Sequence, residues 1–89
     1  MRIGMYSLHD IKMGLFLAPF AARNDVEAGR QIKAAMSDPQ MRNADFVLSP
    51  GDFTLSQRGI YDDETGRFEP ATSETVYSLR DFAPSTVTP

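Results

Sequence analysis

A chain of 89 residues without one cysteine has to hold its fold by packing alone. No disulfide can staple it, and neither a thiolate metal site nor a cysteine nucleophile can be built. At this length there is room for a single domain with one small core, which buries roughly two thirds of the unfolded chain's surface. Hydrophobic residues make up 42% of the chain, and a homodimer would be a natural supplement to so small a core. His9 is the only histidine, so a structural zinc site of the usual ligands lacks its parts. No metal and no cofactor is expected.

The net charge is −3, an unusual sign for a nucleic-acid binder, because phosphate neutralisation supplies most of such a protein's affinity. The charge is unevenly spread, however. Residues 1–58 carry seven basic and six acidic groups, whereas residues 59–89 carry two basic and six acidic. A basic patch on the first part, with the acidic part turned elsewhere, is compatible with that distribution. The apolar stretch Met13 to Ala22 has about ten residues, too few to span a bilayer. Asp10 and Lys12 before it and Asn24-Asp25 after it do not suit a signal peptide. The expectation is a protein of the cytoplasm with no membrane contact.

Alternation places Ile3 to Leu8 on a strand, with Ile3, Met5 and Ser7 on one face and Tyr6 and Leu8 on the other. Asp10 to Gly14 reads as a turn, and Leu15 to Phe20 as the returning strand, ended by Pro19. Asn24 followed by Glu27 is a capping-box pattern, and Ala28, Gly29, Ile32, Ala35 and Met36 share one helical face. Arg30, Lys33 and Ser37 lie opposite. Asp38-Pro39 stops the helix, since the residue before proline avoids the α region. Gly29, which costs a helix about 1 kcal/mol relative to alanine, implies close helix–sheet packing.

Residues 39–51 read as an irregular connection anchored by Phe46-Val47-Leu48. Phe53, Leu55 and Ile60 or Tyr61 supply a third strand. Asp62-Asp63-Glu64-Thr65-Gly66 is a hairpin turn, and Arg67-Phe68-Glu69 a fourth strand ended by Pro70. From Glu74 to Phe82 the spacing of Val76, Leu79 and Phe82 fits a helix, and alternation fits nearly as well. The expected architecture is α+β: a small antiparallel sheet of two hairpins with one packed helix, β-β-α-β-β plus a C-terminal element. Residues 1–83 form the domain, and 84–89, rich in proline, serine and threonine, a flexible tail.

No enzyme chemistry is legible. Asp62, Asp63 and Glu64 lack the twelve-residue calcium-loop pattern, and turns recruit aspartate for local hydrogen bonds. His9 and Asp10 are strand neighbours and point to opposite faces. There is no nucleophile elbow, Walker loop or dinucleotide fingerprint. Two functional classes remain. In one, Arg23, Arg30 and Lys33 contact phosphates of single-stranded DNA, and aromatic residues among Tyr6, Phe16, Phe20 and Tyr61 stack on its bases, Tyr6 and Phe20 foremost. In the other, the domain is an adaptor whose sheet edge or tail pairs with another protein.

An ordered set of short motifs sharpens this. It begins Tyr6-Ser7-Leu8-His9-Asp10-Ile11-Lys12-Met13-Gly14, Pro19-Phe20, Asn24-Asp25 and Ala28. It continues Asp38-Pro39, Asp52-Phe53-Thr54-Leu55, Gly59-Ile60-Tyr61-Asp62 and Thr65-Gly66. In order and spacing the set resembles the small non-structural protein of gokushovirus-like microviruses, tailless phages with circular single-stranded DNA genomes. The resemblance covers about residues 5–70. It departs from the family pattern at Gly29, at Tyr61 in place of phenylalanine, and in the length of the connection from Gln40 to Gly51. It implies no catalytic residues. It implies a protein of the bacterial host's cytoplasm that acts in viral single-stranded DNA synthesis or packaging, described as DNA-binding or as a replication switch. The alternative is a protein–protein adaptor or minor particle component that contacts phage replication, capsid or host proteins.

Overall fold

The computed structural model describes residues 1–82. The boundary at residue 83 and the expected tail lie outside the described residues. Among the described residues one antiparallel sheet is built from six strands. They are β1 (Arg2–Asp10), β2 (Leu15–Phe16), β3 (Phe20–Ala22), β4 (Phe53–Asp62), β5 (Arg67–Glu69) and β6 (Val76–Ser78). Helix α1 (Asp25–Ser37) lies on one face, and a four-residue helix α2 (Asp45–Leu48) sits in the connection to β4. The expected α+β fold of two hairpins and one packed helix is what forms.

The long strands β1 and β4 pair with each other at the centre. Each begins a hairpin, and the hairpins are built alike. Both turn through an Asp-x-x-x-Gly loop in which the glycine amide donates to the aspartate carbonyl, Gly14 to Asp10 at 2.9 Å and Gly66 to Asp62 at 2.7 Å. Both glycines take positive φ, 68° and 73°, where a side chain would be strained. Both return strands then break near a proline. Pro19 separates β2 from β3 along β1, and Pro70 helps separate β5 from β6 along β4. Proline cannot donate to the ladder, so each edge is left as two short pieces. The first break is tied down by Ser7, whose Oγ donates to the Leu17 carbonyl at 2.6 Å, and by the Leu17 amide, which donates to Leu8 at 2.8 Å.

The three consecutive carboxylates of the second turn are absorbed locally. The Glu64 amide donates to Asp62 Oδ1 at 2.9 Å and holds that carboxyl below the usual range. The Met1 ammonium meets Asp63 Oδ1 at 2.6 Å and Glu64 Oε1 at 3.4 Å.

Helix α1 begins where expected. Asn24 Oδ1 accepts the Glu27 amide at 2.9 Å, and Asp25 and Glu27 favour the positive end of the helix dipole. The reciprocal half of the capping box is absent, because the Glu27 carboxylate turns to Arg23 Nε at 2.7 Å. Ala28, Ile32 and Met36 are buried against Tyr6 and Leu8 of β1 and Phe53 and Leu55 of β4, with Phe46 of α2 and Leu79 completing the core. Gly29 does not mark the expected close helix–sheet packing, and its nearest neighbour is the Phe82 ring at ordinary contact distance. A Cβ built there would stand 3.4 Å from Phe82 Cζ. The C-terminal element is a three-residue strand, β6, followed by one 3₁₀ turn over Leu79–Asp81, so neither a continuous helix nor a full strand forms.

Candidate nucleic-acid interface

The three expected phosphate contacts come from one end of β3 and the exposed side of α1, and the fold aims them at one cleft. The cleft runs along α1 beside the segment from Thr72 to Phe82. Its first half, about 480 Å³, is lined by Arg23 and Asn24 at the helix start, by Gln57 of β4 and by Thr72, Ser73 and Tyr77. Its second half, about 320 Å³, is lined by Gly29, Arg30 and Lys33 on the helix and by Tyr77 and Phe82 opposite. Asp25, Val26 and Tyr77 border both halves, so the depressions adjoin.

A hydrogen-bond network fixes the floor. Tyr6 Oη donates to Asp25 Oδ1 at 2.6 Å, and Ser73 Oγ donates to Asp25 Oδ2 at 2.6 Å. Gln57 accepts the amides of Thr72 and Ser73 through Oε1, at 2.7 and 3.0 Å, pinning the irregular segment after β5 to the sheet. Burial first, and the bond to Asp25 second, push the Tyr6 phenol up to about 12. The Tyr77 and Phe82 rings pack at 5.9 Å and form one wall.

The electrostatics grade the three cations. Arg30 and Lys33 are exposed and have no ion-pair partner among the described residues. Arg23 is exposed as well, but Glu27 neutralises much of its charge. Asp25 contributes the opposing charge, held by two hydroxyl donors and the helix start. The cleft pairs the exposed cations Arg30 and Lys33 with a wall of two aromatic rings, a combination suited to holding an anionic, ring-bearing chain.

The model of one protein family, described as phage ORF5 protein, matches residues 3–82. The chain belongs to this family of phage proteins. No curated protein and no solved structure matches the chain. The family match spans nearly the whole fold, from the start of β1 to the Phe82 wall of the cleft.

In this phage ORF5 family member Tyr6 does not stand where a stacking role requires, and Phe20 is not part of the cleft's lining. Tyr6 is 1% exposed, its ring in the core and its hydroxyl committed to Asp25. It borders the first half of the cleft but offers no free ring face for stacking. Phe20 is half-buried against the core with its ring 6.2 Å from Tyr6. The rings that line the cleft are Tyr77 and Phe82, half-buried like Phe20, and the exposed rings are Phe16 and Phe68 on the opposite face of the sheet. Tyr77 escapes a sequence reading because β6 is only three residues long. Its direction follows from its register opposite Leu55, not from any local pattern.

Proposed function

We propose that the chain is a non-enzymatic, non-structural protein of a microvirus-type phage, and that it acts in viral single-stranded DNA synthesis or genome packaging. It does so by binding single-stranded DNA along the cleft beside α1. Arg30 and Lys33, with Arg23 at the far end, take the phosphates, and the Tyr77 and Phe82 wall takes a base. The observation that supports this reading best is the convergence of three cations and two half-buried rings on one cleft. The acidic run Asp62-Asp63-Glu64 lies at the second hairpin turn beside the Met1 ammonium and does not line the cleft. A strand-pairing adaptor is less well supported. Both sheet edges are broken into pieces of two or three residues, which is how edges resist pairing with another chain.

The test is the double variant Arg30→Glu/Lys33→Glu, titrated by fluorescence anisotropy against a labelled oligothymidylate over a range of salt. Affinity should fall at least about tenfold, and the log–log salt slope should flatten by about 0.7 for each phosphate no longer neutralised. Both residues are exposed, so the thermal unfolding midpoint should stay where it is. Unchanged affinity with an unchanged slope would overturn the reading.

A further inference from the structure

Among the described residues no helix packs on the face of the sheet turned away from α1, where Ser7 and Ser56 are buried by their neighbours and Phe16, Phe68 and Val76 are exposed. Strand registers say which residues this face holds, because directly opposed residues of antiparallel strands share a face. His9 stands opposite Phe16, Tyr61 opposite Phe68, and Ser56 opposite Val76. None of the outward positions of the six strands carries one of the chain's twelve carboxylates. In an acidic protein this is a sharply segregated surface.

Its chemistry is specific. Where β1 and β4 pair, Met5 opposes Gly59 and Tyr6 opposes Gln57, which leaves Arg58 as an extra residue in a bulge. Arg58 is thereby freed from the ladder, and its guanidinium lies over the Phe16 ring, 4.5 Å from the centroid. His9 stacks on the same ring at 4.3 Å and 12°. Phe16 thus meets a guanidinium and an imidazole at once. The second cluster is Tyr61 against Phe68, 5.1 Å apart, with Phe68 71% exposed. Between the two clusters lies Gly59, which has no side chain to obstruct.

Exposed rings, one free guanidinium and no carboxylate suit a ligand that carries both flat bases and negative charge. A second copy of the chain suits the face poorly. A two-fold contact would set this surface against itself and bury Arg58 with no carboxylate to meet it. We infer that this helix-free sheet face, through Arg58, Tyr61 and Phe68 with Phe16 in support, is a second contact surface for single-stranded DNA. It grips bases by stacking, whereas the cleft grips mainly phosphates. The inference rests on the single-stranded DNA reading above and extends it to the other side of the sheet. The two surfaces meet at the β6 edge, where Tyr77 faces the cleft and its neighbour Val76 the open face.

The experiment compares a labelled oligothymidylate with an abasic strand of equal length. Each is titrated against the wild type, Arg30→Glu/Lys33→Glu and Arg58→Gln/Phe68→Ser, with sedimentation of each protein alongside. The wild type should bind oligothymidylate at least tenfold tighter than the abasic strand. Arg58→Gln/Phe68→Ser should lose five- to tenfold on oligothymidylate and less than twofold on the abasic strand. Both substituted side chains are exposed, and amide NMR spectra check that each variant is folded. Independently, oligothymidylate added to the wild type should shift the amides of Arg58, Tyr61 and Phe68. If Arg58→Gln/Phe68→Ser binds like wild type while Arg30→Glu/Lys33→Glu does not, the second surface is overturned and the cleft reading stands. If the wild type binds neither strand, both fall. Loss of a dimer in the Arg58→Gln/Phe68→Ser protein without loss of DNA affinity makes the face a self-association surface and overturns the inference, as does a tenfold preference for RNA of the same sequence.

Discussion

At the scale of single residues, Tyr6 carries the most. Its ring fills the core between the helix and the sheet, while its hydroxyl reaches Asp25 at the start of α1. Tyr6→Phe keeps the ring and removes a hydrogen bond to a charged group, so urea unfolding at neutral pH should show a loss of about 1–3 kcal/mol. The pH dependence has a definite sign. The folded-state value of about 12 lies above the ordinary 10, so the advantage conferred by the hydroxyl is complete below pH 10 and drains away as the pH climbs toward 12. The stability gap between wild type and Tyr6→Phe should therefore narrow over that window; a gap that stays constant contradicts the assignment. Gly4 sits beside this ring. A Cβ there would come within 2.7 Å of Tyr6 Cε1 and 3.1 Å of the Ala22 carbonyl, and a buried, bonded tyrosine has little room to yield. Gly4→Ala should destabilise by about 1–3 kcal/mol in the same assay. Alternation was enough to put Tyr6 and Leu8 on one side of β1. It could not tell which side α1 would cover, and that is why Tyr6 read as a stacking platform when it is core.

At the scale of elements, legibility followed how local the determinants were. Helix α1 was readable to its ends, because Asn24, the Ala28–Ile32–Met36 spacing and Asp38-Pro39 all act within the segment. The turns at Gly14 and Gly66 were readable for the same reason. β6 and the 3₁₀ turn after it were not. Three residues of strand exist only because Thr54, Leu55 and Ser56 are there to pair with, and pairing at that sequence distance leaves no periodic trace. The cations of the cleft were legible on α1, whereas its aromatic wall, drawn from this C-terminal segment, was not. Gly29 links the two. A methyl group there would stand 3.4 Å and 3.6 Å from two Phe82 ring carbons, ordinary contact distances, so the intrinsic helix penalty of glycine decides the outcome. Gly29→Ala should stabilise by about 0.5–1 kcal/mol and raise the thermal midpoint by about 2–8 °C. A lowered midpoint would mean that Phe82 requires the full gap.

At the scale of the whole molecule, the organisation is two like hairpins joined through their long strands, with one helix over one face. That plan leaves a chain of net charge −3 with two surfaces whose local character differs from the average. One is the cleft beside α1, edged by Arg30 and Lys33. The other is the open sheet, free of carboxylates and carrying Arg58. Summed charge is thus a poor guide to the character of either surface, since binding depends on where charges are placed and how they are paired. The central claim is that these surfaces serve single-stranded DNA. The most direct measurement is an anisotropy titration of the intact wild-type chain with a labelled single strand and with a duplex of the same sequence, at low and at moderate salt. The account predicts saturable binding that favours the single strand and weakens as salt rises; no binding at about tens of micromolar protein, or a preference for the duplex, would contradict it.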